Sequence, residues 1–414
     1  VIPHTRASLY EDALDALAAK SRRRTLAPRA GLDFTSNDYL ALASCERLRR
    51  AVAQAALAGT PVGAGGSRLL RGNAPEHERL ETAAAHFFSV EHALYFASGY
   101  IANHAVLATL PQKEDFVLLD ELIHASAHEG ARAGRAQFLK ARHNDPNAFD
   151  EAIRTWRARG GTGRPWLVIE SIYSMDGDRA PLADFAALAE RHDAMLIIDE
   201  AHATGIYGPD GRGLAAEAGT ADAVSSSDPV SSSDPASSTD PARPTSPTGA
   251  TGALEGRPHV LVIHTLSKAL GSAGALLTAP RIVCEFLVNR CRPFIYATAP
   301  SPLMAVAALE ALNILRDEPS RRESLARLVA HARRTADALA LASPSSSQIY
   351  PIIIGDDKHT MALAAQLQAR GFDVRGIRPP TVPEGTARLR ISLTLNVDEP
   401  DVTRLFETLA ELRA

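Results

Sequence analysis

Five short apolar runs between residues 93 and 263, separated by stretches of helical periodicity, constrain this chain more than any other feature. They are Ala93-Leu94-Tyr95-Phe96, Phe116-Val117-Leu118-Leu119, Trp166-Leu167-Val168-Ile169, Met195-Leu196-Ile197-Ile198 and Val260-Leu261-Val262-Ile263. A strand apolar on both faces must be covered on both faces, and helices between successive strands supply that cover. The pattern predicts an α/β fold built on a large, mostly parallel sheet. In such sheets ligands collect at the C-terminal strand ends, so the polar residues just after each run are the candidates for chemistry.

The flanks are organised differently. An amphipathic helix is expected over Leu9 to Lys20, followed by the basic cluster Arg22-Arg23-Arg24 and a strand-like stretch, Leu32 to Thr35, which Asn37-Asp38-Tyr39 breaks. Residues 1–36 therefore read as an N-terminal helix-and-strand segment and 37–290 as the large domain. Helical patterns dominate from Pro302 to Leu341. Strands are then expected at Ile352–Ile354, Asp373–Ile377 and Arg388–Leu393, with a helix between Thr360 and Arg370, so 291–414 reads as a smaller α+β domain.

One stretch fits neither pattern. Residues 225 to 242 repeat Ser-Ser-Ser-Asp-Pro-Val, Ser-Ser-Ser-Asp-Pro-Ala and Ser-Ser-Thr-Asp-Pro-Ala. With almost no large apolar side chain and a proline in each period, burial cannot offset the entropy of ordering it. A disordered, low-complexity surface insertion over 225–250, outside the packed sheet and far from Lys268, is the expectation. A tolerated loop expansion is favoured over a partner-binding tether.

Composition narrows the function. The 44 basic side chains against 48 acidic ones leave a formal charge of −4. Nucleic-acid binding rests on a basic excess that is absent here. Cys45, Cys284 and Cys291 have no CxxC spacing, which points to neither a disulfide framework nor a cysteine zinc site and fits a reducing cytoplasm. No run of eighteen apolar residues occurs, and Val1-Ile2-Pro3-His4 does not open a signal peptide, so no membrane association is expected. A start at Val1 rather than Met is read as processed or trimmed.

Three run ends carry distinct chemistry. Ala97-Ser98-Gly99-Tyr100 opens a helix, where free backbone N–H groups can take a phosphate and glycine permits close approach; the same residues also suit a plain strand-to-helix turn. Asp199-Glu200-Ala201-His202 puts a carboxylate and an imidazole at a strand end, compatible with a cofactor ring, a metal-ligand pair or a cap. His264-Thr265-Leu266-Ser267-Lys268 offers a lysine whose pKa burial could lower, as an amine that forms a Schiff base requires. Most lysines are solvated; it is the ordered set of three that points to one site.

These motifs resemble the α-oxoamine synthases, within the fold-type I pyridoxal-phosphate enzymes. The resemblance is carried by Phe34-Thr35-Ser36-Asn37-Asp38-Tyr39-Leu40, Gly63-Ala64-Gly65-Gly66-Ser67-Arg68, Ser174-Met175-Asp176-Gly177-Asp178, Asp199-Glu200-Ala201-His202-Ala203-Thr204-Gly205 and Thr265-Leu266-Ser267-Lys268. It runs from about residue 9 to the C-terminus, interrupted by the repeat. Tyr100 stands where phenylalanine is frequent, and Ser267 where glycine is.

The resemblance implies a fold-type I transferase with pyridoxal 5′-phosphate on Lys268, Asp199 against the pyridinium, His202 and Ser174 toward the ring oxygen, and His124 over the ring. The phosphate would meet the Gly99 and Tyr100 backbone and the Thr265 hydroxyl. Thr298 would come from a second subunit, making a homodimer with shared sites. Arg390 would take the amino-acid carboxylate, and Arg22, Asn37, Arg378 and Thr381 would lie near the substrates. Within the family, Ile377-Arg378-Pro379-Pro380-Thr381-Val382-Pro383 and Thr386-Ala387-Arg388-Leu389-Arg390 are most similar to the biotin-pathway branch. That branch joins L-alanine to a pimeloyl thioester, on coenzyme A or an acyl carrier protein, with loss of carbon dioxide.

The alternatives are family members using glycine or serine, such as 2-amino-3-ketobutyrate CoA ligase, and a catalytically inactive partner subunit, against which Lys268, Asp199 and His202 speak together. A nucleotide fold would need GxxxxGK[ST] or a strand-borne GxGxxG, and a zinc hydrolase would need a third ligand beside His124 and His128.

Overall fold

The computed structural model describes residues 8–218, 253–341 and 343–413. The repeat at 225–242, with the insertion expected over 225–250, lies outside the described residues. In chain order the strands are β1 (Leu32–Asp33), β2 (His92–Phe96), β3 (Phe116–Asp120), β4 (Gln137–Ala141), β5 (Pro165–Glu170), β6 (Met195–Asp199), β7 (Val260–Thr265), β8 (Ala275–Ala279), β9 (Ile349–Gly355), β10 (Phe372–Asp373), β11 (Arg375–Ile377) and β12 (Ala387–Ser392).

The five apolar runs become β2, β3, β5, β6 and β7. They lie in one seven-stranded sheet of order β2-β8-β7-β6-β5-β3-β4. Pairings from β4 through β3, β5 and β6 to β7 are parallel, while β8 runs antiparallel between β7 and β2. Side chains alternate between two cores, as a two-residue period demands. Leu118, Leu167, Ile169, Leu196, Ile198 and Val262 face helices Pro75–Phe88, Leu182–Arg191 and Pro302–Asp317. Val117, Leu119, Val168, Ile197, Leu261 and Ile263 face helices Gly99–Thr109, Ala125–Ala133 and Arg281–Arg290.

A third core unites β9, β11 and β12, an antiparallel sheet, with helices Ser320–Ala338, Asp357–Ala369 and Glu399–Arg413. The helical stretch expected from Pro302 to Leu341 is two helices separated at Glu318-Pro319, because a residue before proline is pushed out of helical geometry. The first packs into the core of the large sheet and the second into the C-terminal core. The N-terminal segment joins the C-terminal one: Leu32 and Asp33 pair in parallel with Phe372 and Asp373, and Phe34 is buried among C-terminal side chains. Asn37 and Tyr39, which directly follow, are thereby drawn between the two cores. Among the described residues no helix is long and apolar enough to cross a membrane, and no His, Cys, Asp and Glu cluster could hold a metal ion.

Candidate active site

The parallel strands end side by side, and their last residues place the polar groups. β6 closes on Asp199 and β5 on Glu170, which are register partners. β7 closes on Thr265 and turns at once into Leu266-Ser267-Lys268, the turn being tied by Gly271 N–H to the Lys268 carbonyl at 2.9 Å. β2 leads to Ser98, whose side chain accepts from Ile101 N–H at 3.2 Å and so caps helix Gly99–Thr109. β3 leads to His124, which caps helix Ala125–Ala133 by accepting from Ser126 N–H.

Lys268 Nζ lies 3.1 Å from His202 Nε2. His202 Nδ1 is 2.7 Å from the Tyr39 hydroxyl, which donates to Asn37 Oδ1 at 2.9 Å. Tyr39 has a single hydroxyl proton and gives it to Asn37, so His202 Nδ1 donates and its Nε2 lone pair faces the lysine amine. Asn37 Oδ1 also accepts from Arg390 Nη2 at 3.0 Å, and Arg390 Nε donates to the Ser174 carbonyl at 2.6 Å. Lys268, His202, Asn37, Arg390 and Ser174 thus form one continuous chain through Tyr39.

Asp199 sits beside it, its Oδ2 accepting from Asn103 at 2.6 Å and its Oδ1 from Ala201 N–H at 2.9 Å, so its orientation is set by two donors. His124 Nδ1 is 2.8 Å from Ser126 Oγ, and the Tyr100 ring stands edge-on to the His124 ring at 6.1 Å.

Burial governs the charges here. It lowers the pKa of Lys268 against the opposing pull of Asp199 and Glu170. His202 is pushed well below the ordinary histidine range by burial and then by the Lys268 and Arg390 charges. Burial, followed by repulsion from Asp199, pushes Glu170 up to about 8. Arg390 is buried, and the partners of its guanidinium are the Ser174 carbonyl, Ser392 Oγ, Asn37 Oδ1 and the Tyr39 hydroxyl, all neutral. A buried cation with no carboxylate partner among the described residues is one that a substrate anion can complete.

Other expected residues lie apart. Arg22 spends its donors on Asp357 at 2.5 Å and Glu384 at 2.6 Å, at the edge of the C-terminal sheet. Arg378 is buried, donating to the carbonyls of Gly376 and Arg23, with its Nε unpaired among the described residues. Thr381 accepts from Arg24 at 3.4 Å. Thr298 is exposed and, among the described residues, has no hydrogen bond to the Lys268 cluster. His128 lies on helix Ala125–Ala133, its pKa driven down to about 4 by burial, and its Nδ1 has no partner among the described residues.

Four members escaped sequence reasoning: Tyr39, Asn103, Ser126 and Glu170. Glu170 had a signal, since it ends an apolar run as Asp199 does, and Tyr39 lies inside the motif Phe34-Thr35-Ser36-Asn37-Asp38-Tyr39-Leu40. Glu170 accepts the backbone N–H groups of His124 at 2.7 Å and Ser174 at 3.2 Å.

The residues suit pyridoxal 5′-phosphate. A Cβ on Gly99 would stand 2.5 Å from Thr265 Oγ1, so only glycine leaves that hydroxyl and the helix start open to an anion. The first two helix amides, at Gly99 and Tyr100, are ones that helix geometry leaves without an intrahelical acceptor. A buried amine of lowered pKa suits an aldehyde, and a firmly held carboxylate suits a pyridinium.

Known proteins agree. The family model for aminotransferase class I and II matches residues 29–409. An 8-amino-7-oxononanoate synthase from Anaeromyxobacter dehalogenans (strain 2CP-1) is 39% identical over 415 residues, covering 96% of this chain and 93% of its own. One from Methylobacterium radiotolerans is 40% identical over 412 residues, covering 96% of each. Among solved structures, serine palmitoyltransferase from S. paucimobilis superposes with a TM-score of 0.82 at 23% identity over 99% of both chains. The 8-amino-7-oxononanoate synthase of Francisella tularensis gives 0.70 at 23% identity, over 92% of this chain and 98% of its own; these two likenesses speak to the fold. With the family model spanning nearly the whole chain and near-full-length relatives at this identity, the chain belongs to the aminotransferase class I and II family, in its α-oxoamine synthase branch, and its cofactor is pyridoxal 5′-phosphate.

Proposed function

We propose that this pyridoxal-phosphate acyltransferase is an 8-amino-7-oxononanoate synthase, joining L-alanine to a pimeloyl thioester to give 8-amino-7-oxononanoate, carbon dioxide and the free thiol. The observation that carries the reading is the agreement of near-full-length relatives of that activity, at 39% and 40% identity, with a buried Arg390 whose partners are neutral and which stands in one chain with Lys268. When bound, the cofactor takes up the electron pair left at the amino-acid Cα.

The rest falls to the protein. Arg390 holds the alanine carboxylate in its fork. Lys268 Nζ, its pKa lowered by burial, moves the Cα proton, with His202 Nε2 beside it at 3.1 Å. Asp199 would face the pyridinium, His124 would cover the ring, and Ser174 and His202 would face its oxygen. Gly99, Tyr100 and Thr265 would hold the phosphate, and a second copy of the chain would bring its Thr298 to that group in a homodimer. Arg22 is committed to Asp357 and Glu384, so Arg378, buried and hydrogen-bonded among the described residues to the carbonyls of Gly376 and Arg23, is the better cation for the far carboxylate of a pimeloyl group, with Thr381 near it.

The test is a matrix of alanine, glycine and serine against pimeloyl, acetyl, succinyl and palmitoyl thioesters, followed by thiol release. Alanine with pimeloyl is expected to give the highest kcat/KM. A clear preference for another pair would overturn this activity while leaving the family membership intact.

A further inference from the structure

We propose that His143, held between Asp120 and Asp178, is a positioning residue that locks together the two loops presenting His124 and Ser174. This rests on the reading that those two side chains face the cofactor. His143 Nδ1 is 2.9 Å from Asp120 Oδ1, and its Nε2 is 2.8 Å from Asp178 Oδ2. A neutral imidazole has one N–H, so carboxylates on both nitrogens require the doubly protonated ring. The Tyr173 ring stands edge-on to it at 4.3 Å, Glu121 accepts its backbone N–H at 3.0 Å, and Asn144 lies alongside, its side chain donating to Asp178 at 2.6 Å. Burial alone would lower the ring's pKa; the bonds to Asp120 and Asp178 outweigh that and push it up to about 10.

Each carboxylate belongs to one of the loops. Asp120 ends β3 and starts the turn to His124, accepting Leu122 N–H at 2.9 Å. Asp178 closes the turn that contains Ser174: its carbonyl accepts Tyr173 N–H at 3.0 Å, while Gly177 N–H reaches the Tyr173 carbonyl at 2.8 Å. On the inner side Glu170 already ties the His124 and Ser174 amides. His143 makes the outer tie from a third segment, whose Asp145 caps helix Pro146–Ala158. Asn144 runs beside it, its N–H donating to Asp120 Oδ2 at 2.8 Å and its side chain to Asp178 Oδ2 at 2.6 Å, so removing His143 takes the charge out of the outer tie and loosens it without severing it. His143 touches neither Lys268 nor Asp199 by hydrogen bond among the described residues, so its effect travels through His124 and Ser174.

The experiment compares the holoenzyme with His143→Gln and Asp178→Asn, both of which keep side-chain size and remove the bridging charge. The expected result is a shifted pH midpoint for the cofactor's visible absorption and a kcat lower by on the order of ten- to a hundredfold, the effect of a small misplacement, with the KM for alanine within about threefold. Because the pKa of His143 is raised in the fold, its stabilisation is complete below about 6.5 and is lost as pH climbs through about 10. The gap in Tm between parent and His143→Gln should therefore be widest near pH 6.5 and close toward pH 10. A folded His143→Gln with the parental absorption titration and kcat overturns the proposal. Should that variant not fold, Asp178→Asn decides by the same readouts. A parent that binds no pyridoxal phosphate overturns the site reading itself, and this proposal with it.

Discussion

Lys268 and Arg390 make opposite demands on the same buried space, and that opposition separates their roles. The amine must be uncharged to act, and burial lowers its pKa; the guanidinium has only neutral partners among the described residues, so it needs an anion to pair it when the site is full. Lys268→Ala is expected to abolish the visible absorption of the covalently held cofactor and to lower turnover by on the order of 10²–10⁴-fold or more, the usual worth of a positioned proton-transfer group. A yellow, borohydride-trappable, active Lys268→Ala protein would refute the assignment. Arg390→Ala should keep that absorption yet weaken alanine binding. Losing one partner of a buried ion pair costs about 3–5 kcal/mol, a factor of roughly 10² to 5 × 10³. Arg390→Lys, with the charge but without the fork, should fall between the two. An alanine titration unchanged in Arg390→Ala would reject the carboxylate role. Both residues were legible because each lies in or beside a motif; Tyr39 lies in one too, yet its part and that of Asn103 rest on a hydrogen bond across 163 residues to His202 and across 96 to Asp199.

Strands showed the same division between local and distant causes. The five runs that became β2, β3, β5, β6 and β7 are buried nearly throughout, so their composition alone marks them. β4 escaped because it is an edge strand: Gln137-Phe138-Leu139-Lys140-Ala141 is largely exposed and forms no apolar run. β8 escaped for another reason. Ala275-Leu276-Leu277-Thr278-Ala279 is fully buried, but a run so short and rich in alanine and leucine reads as helix or strand with equal ease, and only its place between β2 and β7 decides. The strand expected over Asp373–Ile377 divides for a tertiary reason too, Phe372–Asp373 pairing with the N-terminal segment and Arg375–Ile377 with β12. That division is what brings Asn37 to Arg390. The rule that polar residues follow strand ends found Asp199 and Thr265. Applied without the help of a known motif, it would also have found Glu170 and Asp120, which end β5 and β3.

At the scale of the molecule, the question is whether the Ser-Asp-Pro insertion takes part in the fold, and the residues flanking it supply an answer. Before it, the N–H groups of Leu214 and Ala215 are held by the buried carboxylate of Glu200 at 3.1 and 2.7 Å. After it, Leu254 is buried and its N–H reaches the Ala215 carbonyl at 3.0 Å, so the two sides meet directly. Glu255 is then fastened by His264 at 2.8 Å and Thr278 at 2.7 Å, on β7 and β8. Both ends are thus anchored in the large sheet by contacts that owe nothing to the residues between them. Closure entropy changes by only about 0.6 kcal/mol per doubling of loop length, so replacing 225–250 with a short glycine-serine link should alter stability by roughly 1 kcal/mol. The shortened protein is expected to keep the parental absorption spectrum, an alanine turnover within about twofold, and the parental elution volume on gel filtration. Loss of folding, of the bound cofactor or of the parental assembly on excision would mean that the insertion contributes contacts of its own, and the anchoring by Glu200, Leu254 and Glu255 would then be insufficient to hold this edge of the site.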